Sequence, residues 1–203
     1  PDTENDAVIS AVKTAQAADV QVVTAAILGH KAELCFMALA ADGWALRDLQ
    51  TALTNAGLVV VDSFVSITEL SEYAQGLPEE MKNMRLYPEL PPEGKNAYCF
   101  YPMTKRRGAD NNWFTLDFEE RKELMYEHGT SGRQFAGRIV QLITASTGLD
   151  DWEWGVTLFG VKIDDLKDTV YTMRYDTASA VYAEFGPFYT GMTGPVEEIL
   201  ART

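Results

Sequence analysis

Residues 137–173 read GRIVQLITASTGLDDWEWGVTLFGVKIDDLKDTVYTM. Gly137 to Ser146 and Trp152 to Phe159 each alternate apolar and polar side chains with the period of two that a half-buried strand requires. Asp164 then opens a helix that runs to Met173. Upstream, Ala97 to Tyr101 is a short apolar strand. Asp117-Phe118-Glu119-Glu120 resembles a capping box and starts a helix that the sequence ends at His128-Gly129. Downstream, Ser179 to Phe188 reads as a last strand. The order βαββαβ is that of the ferredoxin-like motif.

The first half carries the same pattern with its first strand lacking. Asp6 to Ala17 is a helix, Val20 to Leu28 and Glu33 to Leu39 are strands, and Gly29-His30 is the turn between them. Asp42 caps a helix expected to bury Trp44, Leu46, Leu49 and Leu53 and to stop at Asn55-Ala56-Gly57. Leu58 to Ile67 reads as a strand. Leu46-Arg47-Asp48-Leu49 lies 120 residues before Leu166-Lys167-Asp168-Thr169, as a duplication would place it. The absent strand fits a missing N-terminal segment. Residues 76–96 contain Pro78, Pro88, Pro91 and Pro92 and read as a linker with one turn of helix near Glu79 to Met84. The expected organisation is an N-terminal half at 1–75, the linker at 76–96, and a C-terminal half at 97–203. The fold class is α+β, two ferredoxin-like halves with their sheets face to face or side by side and helices outside.

The chain has 203 residues, is 46% hydrophobic and 11% aromatic, and carries a formal charge of −13. That apolar content supports a packed core and excludes disorder as the main state. The acidity repels phosphate backbones, which argues against nucleic-acid binding. No apolar run reaches the ~18–20 residues of a membrane helix. The acidic start is unlike a signal peptide, so the cytoplasm is the expected compartment. Cys35 and Cys99 sit in apolar runs and read as buried thiols, with one disulfide the alternative.

Few residues offer chemistry. His30 lies in an exposed turn. His128 ends a helix, either as a cation that favours the macrodipole or as a single metal or haem ligand. No second histidine or cysteine pair accompanies it, which argues against a zinc site. Tyr101-Pro102-Met103-Thr104-Lys105-Arg106-Arg107 places three consecutive cations behind a strand-end tyrosine in an acidic protein. It is a solvated turn or the mouth of an anion site. Arg174 and Ser179 form a natural carboxylate clamp, or are structural. Trp113, Trp152 and Trp154 read as core residues. No phosphate loop, nucleophile elbow, carboxylate dyad or nucleotide fingerprint occurs. Cations, one axial-type histidine and aromatics around a sheet point to a flat, anionic, iron-bearing ligand.

From Tyr101 onward the sequence resembles the chlorite dismutase-like superfamily, and within it the coproheme decarboxylases of bacterial haem synthesis. The resemblance is carried by Cys99-Phe100-Tyr101-Pro102-Met103-Thr104-Lys105-Arg106, Asn112-Trp113, Glu127-His128-Gly129-Thr130-Ser131-Gly132-Arg133, residues 148–159, Met173-Arg174-Tyr175-Asp176 and Phe185-Gly186-Pro187-Phe188. The first half matches more weakly, through Leu34-Cys35-Phe36-Met37 and Glu69-Leu70-Ser71-Glu72-Tyr73. The resemblance implies duplicated ferredoxin-like halves of the dimeric α/β-barrel type, a homopentamer, and iron-coproporphyrin III (coproheme) bound in the C-terminal half. It implies peroxide-dependent decarboxylation of two propionates to give haem b. His128 matches the axial iron ligand, Tyr101 the radical-forming residue, and Lys105 its partner near the reacting propionate. Arg174, Ser179 and Arg85 match propionate contacts, and Met103 and Trp154 line the pocket. Gln141 falls where true chlorite dismutases carry an arginine, which argues against chlorite decomposition.

Three readings compete. The decarboxylase needs both His128 and Tyr101 with Lys105. A non-catalytic haem chaperone or sensor needs only His128. A structural assembly domain needs neither, since a fold does not fix a function. Chlorite dismutase-like or peroxidase activity is a further alternative on the same haem site.

Overall fold

The computed structural model describes residues 4–203. In chain order its elements are α1 (Asn5–Ala17), β1 (Gln21–Ile27), β2 (Leu34–Leu39), α2 (Gly43–Asn55), β3 (Ile67–Thr68), α3 (Glu79–Leu86), β4 (Ala97–Lys105), α4 (Phe118–Arg133), β5 (Ile139–Ala145), β6 (Trp154–Gly160), α5 (Ile163–Met173), α6 (Thr177–Ala180), β7 (Ala183–Phe185), β8 (Tyr189–Gly194) and α7 (Val196–Leu200). The class is α+β with antiparallel pairing, as the sequence predicts. Two compact units form among the described residues, one from residues 4–63 with 191–203, the other from 64–190.

In the first unit β1 pairs with β2 and, from Thr24↔Gly194 to Ile27↔Gly191, with β8. Val8, Val12 and Ala15 on α1 meet Leu49 and Leu53 on α2 and Val196 and Leu200 on α7 to form its core. Trp44 departs from expectation and is 74% exposed. It precedes Leu49 by five positions, which turns it about 140° away from the buried stripe at 3.6 residues per turn. The strand expected over 58–67 is also corrected. Residues 58–66 have no ladder partner among the described residues, and only Ile67–Thr68 pairs, with Ala145 and Thr144 of β5. β-branched residues favour extended backbone, but a strand also needs a neighbour.

In the second unit β4 lies between β7 and β6, and β6 pairs with β5. The register lines up ranks of side chains: Cys99, Leu158 and Gln141; Tyr101, Val156 and Ile143; Met103, Trp154 and Ala145. Leu166 of α5 packs on Ala97, Cys99, Tyr101, Val156 and Leu158. Three boundaries differ from the sequence reading. β4 continues past Tyr101 to Lys105, through Pro102. The Pro102 carbonyl accepts the Gly186 N–H at 2.8 Å, so the missing N–H also faces β7 rather than the β6 ladder. α4 passes through Gly129 to Arg133, and the left-handed turn comes at Gly137 (φ 82°). The last strand expected over 179–188 is split into α6 and the short β7. Neither Cys35 nor Cys99 is in a disulfide, and His30 is exposed as expected.

Candidate functional site

A cleft of 1550 Å³ opens in the second unit. Its floor is the β4–β6–β5 face, and α3, α4 and α5 contribute its walls. All nine residues singled out in the sequence line it: Tyr101, Lys105, His128, Arg85, Met103, Gln141, Trp154, Arg174 and Ser179. Tyr101, Met103 and Lys105 reach it together because alternate residues of one strand share a face. The strand continues to Lys105 where the sequence also allowed a solvated turn.

His128 projects from α4 and is held from behind. Its Nδ1–H donates to Asp176 Oδ2 at 2.9 Å, and Ser179 Oγ lies 3.4 Å from the same nitrogen. Asp176 is also the N-cap of α6, where its Oδ1 accepts the Ser179 N–H at 2.9 Å. Burial pushes the Asp176 carboxyl up, but the hydrogen bonds from His128 and Ser179 outweigh it, and the group sits below its ordinary value. An ionised carboxylate only accepts, so the proton resides on Nδ1 and the Nε2 lone pair is left for a ligand. This is the outer-shell arrangement that orients metal-bound imidazoles. Among the described residues no three His, Cys, Asp or Glu side chains converge on a metal position. One imidazole suits a metal whose other positions a macrocycle fills.

Tyr101 is 7% exposed. Its ring stacks on Phe188 at 4.4 Å between centroids and meets Phe185 edge-on at 5.6 Å. Burial pushes the phenol above its ordinary pKa, with Cys99 adding to the shift. The group is therefore a neutral phenol at any physiological pH. Lys105 is buried too. Its Nζ donates to the Ala178 carbonyl at 2.6 Å and lies 4.3 Å from the Trp113 ring centre. Burial pulls its pKa down to about 8, opposed by the charge of Asp176.

Arg174 is exposed, stacked on Tyr171 at 4.0 Å, and donates to the Tyr175 hydroxyl at 2.9 Å. Ser179 is instead buried against His128 and Asp176. Arg85 is exposed on the last turn of α3, and Gln141 is exposed on β5. Asp176 lies within a motif that carries no role for it in the sequence. Its signal was an Asp three residues before Ser179, a capping spacing. Lys122 and Arg133 of α4 also reach the cleft and were not singled out.

The family model described as chlorite dismutase matches residues 3–194. A structure from Thermus thermophilus, described as a novel heme-binding protein identified from its structure, is 35% identical with a TM-score of 0.86. That match covers 97% of this chain and 82% of the other. Chlorite dismutase from Candidatus Nitrospira defluvii in complex with imidazole is 22% identical with a TM-score of 0.71, over 98% and 85% of the two chains. A mutant of the same enzyme is 19% identical with a TM-score of 0.75, over 98% and 87%. The chain belongs to the chlorite dismutase family.

Proposed function

We propose that the chain binds an iron porphyrin and catalyses the peroxide-dependent oxidative decarboxylation of coproheme to haem b. The observation that carries this reading is the juxtaposition of Tyr101 and Lys105 on one strand face, in the same cleft as the Asp176-backed His128. A carrier of haem needs the histidine alone. A buried phenol and a buried cation beside it are costly to a site that only binds.

The residues fit the group. The cleft exceeds the ~300–1,000 Å³ of ordinary small-molecule pockets, as a tetrapyrrole requires. Apolar Val156, Leu158, Val170 and Met173 match the macrocycle, while Lys105, Arg85 and Arg174 supply cations for its propionates. Local field, rather than the net charge of −13, governs docking. When bound, the iron supplies the two-electron reduction of peroxide to water. His128 Nε2 would hold the metal. Tyr101 gives up its phenolic hydrogen and takes one from the β-carbon of a propionate. Lys105 holds that carboxylate. For each propionate, R–CH2CH2COO⁻, peroxide and one proton give R–CH=CH2, carbon dioxide and two waters. The established family membership and the heme-binding relative support the cofactor class. The coproheme assignment rests on the residues.

Mixing the purified chain with ferric coproheme and peroxide, then weighing the porphyrins, tests the proposal. Successive loss of two carboxyl groups is expected. Tight binding with no mass change would favour the chaperone reading. Chlorite is expected to be a poor substrate, because the Gln141 amide brings no positive charge to an oxyanion. Oxygen evolution from chlorite at a rate comparable to decarboxylation would overturn that expectation.

Lys105 predicts a pH dependence. Its ammonium is the form that holds a carboxylate, and with a pKa of about 8 it is lost as pH rises through that value. The kcat/KM for coproheme is expected to fall above pH 8, since this ratio reports the free enzyme. The limb in kcat lies higher, because a bound carboxylate favours the charged amine. A Lys105→Gln variant is expected to lose the limb, and its persistence there would reassign the titration. The homopentamer, the cytoplasmic location and the role of residues 76–96 as a linker belong to the same reading. No helix among the described residues is long and apolar enough to cross a membrane.

A further inference from the structure

Glu153 stands just before β6 and is 7% exposed. Its Oε2 accepts from the Thr104 hydroxyl and from the Lys105 backbone N–H at 3.2 Å. Its Oε1 pairs with the Arg107 guanidinium, which also lies over the Phe114 ring at 4.2 Å. Its own N–H donates to the Met103 carbonyl at 3.2 Å. One residue thus grips Met103, Thr104, Lys105 and Arg107. The β4–β6 ladder ends at Met103↔Trp154, so this grip begins where the ladder stops. The same end of the strand sets Trp113, whose backbone N–H donates to the Arg106 carbonyl at 3.0 Å and whose ring lies against Lys105 Nζ.

A buried carboxylate is expensive to desolvate, and an ion pair with an exposed arginine gives back little of that cost. Burying an apolar residue there would satisfy packing alone. The directed bonds to three successive positions of β4 point to control of backbone placement.

We propose that Glu153 is a positioning residue for decarboxylation that acts through Lys105. It fixes the C-terminal end of β4 so that the lysine, backed by Trp113, is presented to the cleft on the same face as Tyr101. The inference rests on the reading of Lys105 as the cation that holds the reacting carboxylate.

The test is a double-mutant cycle, Glu153→Ala with Lys105→Ala, read three ways: hydrogen exchange of the Lys105-containing segment in the ligand-free protein, coproheme affinity by Soret titration, and kcat for carbon dioxide release. Glu153→Ala is expected to speed exchange at the Lys105 amide and to lower kcat by up to ~100-fold, as misplacement of a positioned group does, a larger effect than any loss of coproheme affinity. Glu153→Gln keeps an oxygen acceptor and is expected to recover most of the rate and protection. In the Lys105→Ala background, Glu153→Ala is expected to cost no further rate, because coupled residues are not additive. Multiplicative losses, or unchanged exchange at Lys105, would overturn the proposal. So would a fall in affinity with kcat unchanged, since that is what simple destabilisation gives. If Glu153→Ala does not fold, Glu153→Asp shortens the reach and enters the same cycle. A parent kcat in Lys105→Ala alone would instead sink the reading of Lys105, and it is visible without any Glu153 variant.

Discussion

His128→Ala is expected to cost iron-porphyrin affinity by more than the ~10–100-fold that loss of an outer-shell partner alone costs, and to shift the Soret band. Asp176 is ionised and accepts from Nδ1, so Nε2 is the free donor of an electron pair. Alanine removes that donor and leaves Asp176 buried without its main partner. Asp176→Asn separates the two effects. An amide can present either hydrogens or oxygen to Nδ1, so the tautomer is no longer fixed and the imidazole is a weaker ligand. The expected order of affinity is parent, then Asp176→Asn, then His128→Ala. An unchanged Soret spectrum and affinity in His128→Ala would remove His128 from the metal.

The contrast between what the sequence shows and what it hides is physical. Most of the second half was legible because pattern reports burial: α5 buries Leu166, Thr169 and Met173 along one stripe, and β4 and β6 are short runs of mostly buried residues. Ends were less legible. Pro102 stopped β4 in the reading because the sequence does not tell which side of the strand faces a ladder. Gly129 stopped α4 although a glycine inside a helix costs only ~1 kcal/mol. β8 was invisible because Tyr189–Gly194 carries two glycines. Gly191 lies so close to the Ala26 backbone that no side chain fits, so the feature that weakens its strand signal is what pairing with β1 requires. In the cleft, one-residue roles could be carried from motifs to Tyr101, Lys105 and His128. Pair roles could not. His128 and Asp176 are 48 residues apart, and Glu153 grips residues 46 to 50 positions away. Only the fold brings them together, and nothing in local spacing announces it.

Tyr101→Phe is expected to bind coproheme nearly normally and to release almost no carbon dioxide. The substitution keeps the ring that stacks on Phe188 and meets Phe185 edge-on, so packing volume is little changed. It removes only the O–H. In the parent that O–H is protonated throughout the physiological range, because burial holds the phenol above its ordinary pKa. The group therefore cannot act as a phenolate base. Its available chemistry is the loss of a hydrogen as proton plus electron, which phenylalanine cannot perform. Consumption of peroxide with bound coproheme is expected to persist, since the metal and His128 are untouched. Neither the three-propionate intermediate nor haem b is expected to accumulate. Lys105→Ala is expected to retain some turnover, because a group that holds a carboxylate is more replaceable than one that carries the radical. The two variants thus split binding from chemistry in different proportions. If Tyr101→Phe makes haem b at the parent rate, the relay lies elsewhere. Trp113, buried beside Lys105, and Trp154, opposite Met103, are then the residues to replace next.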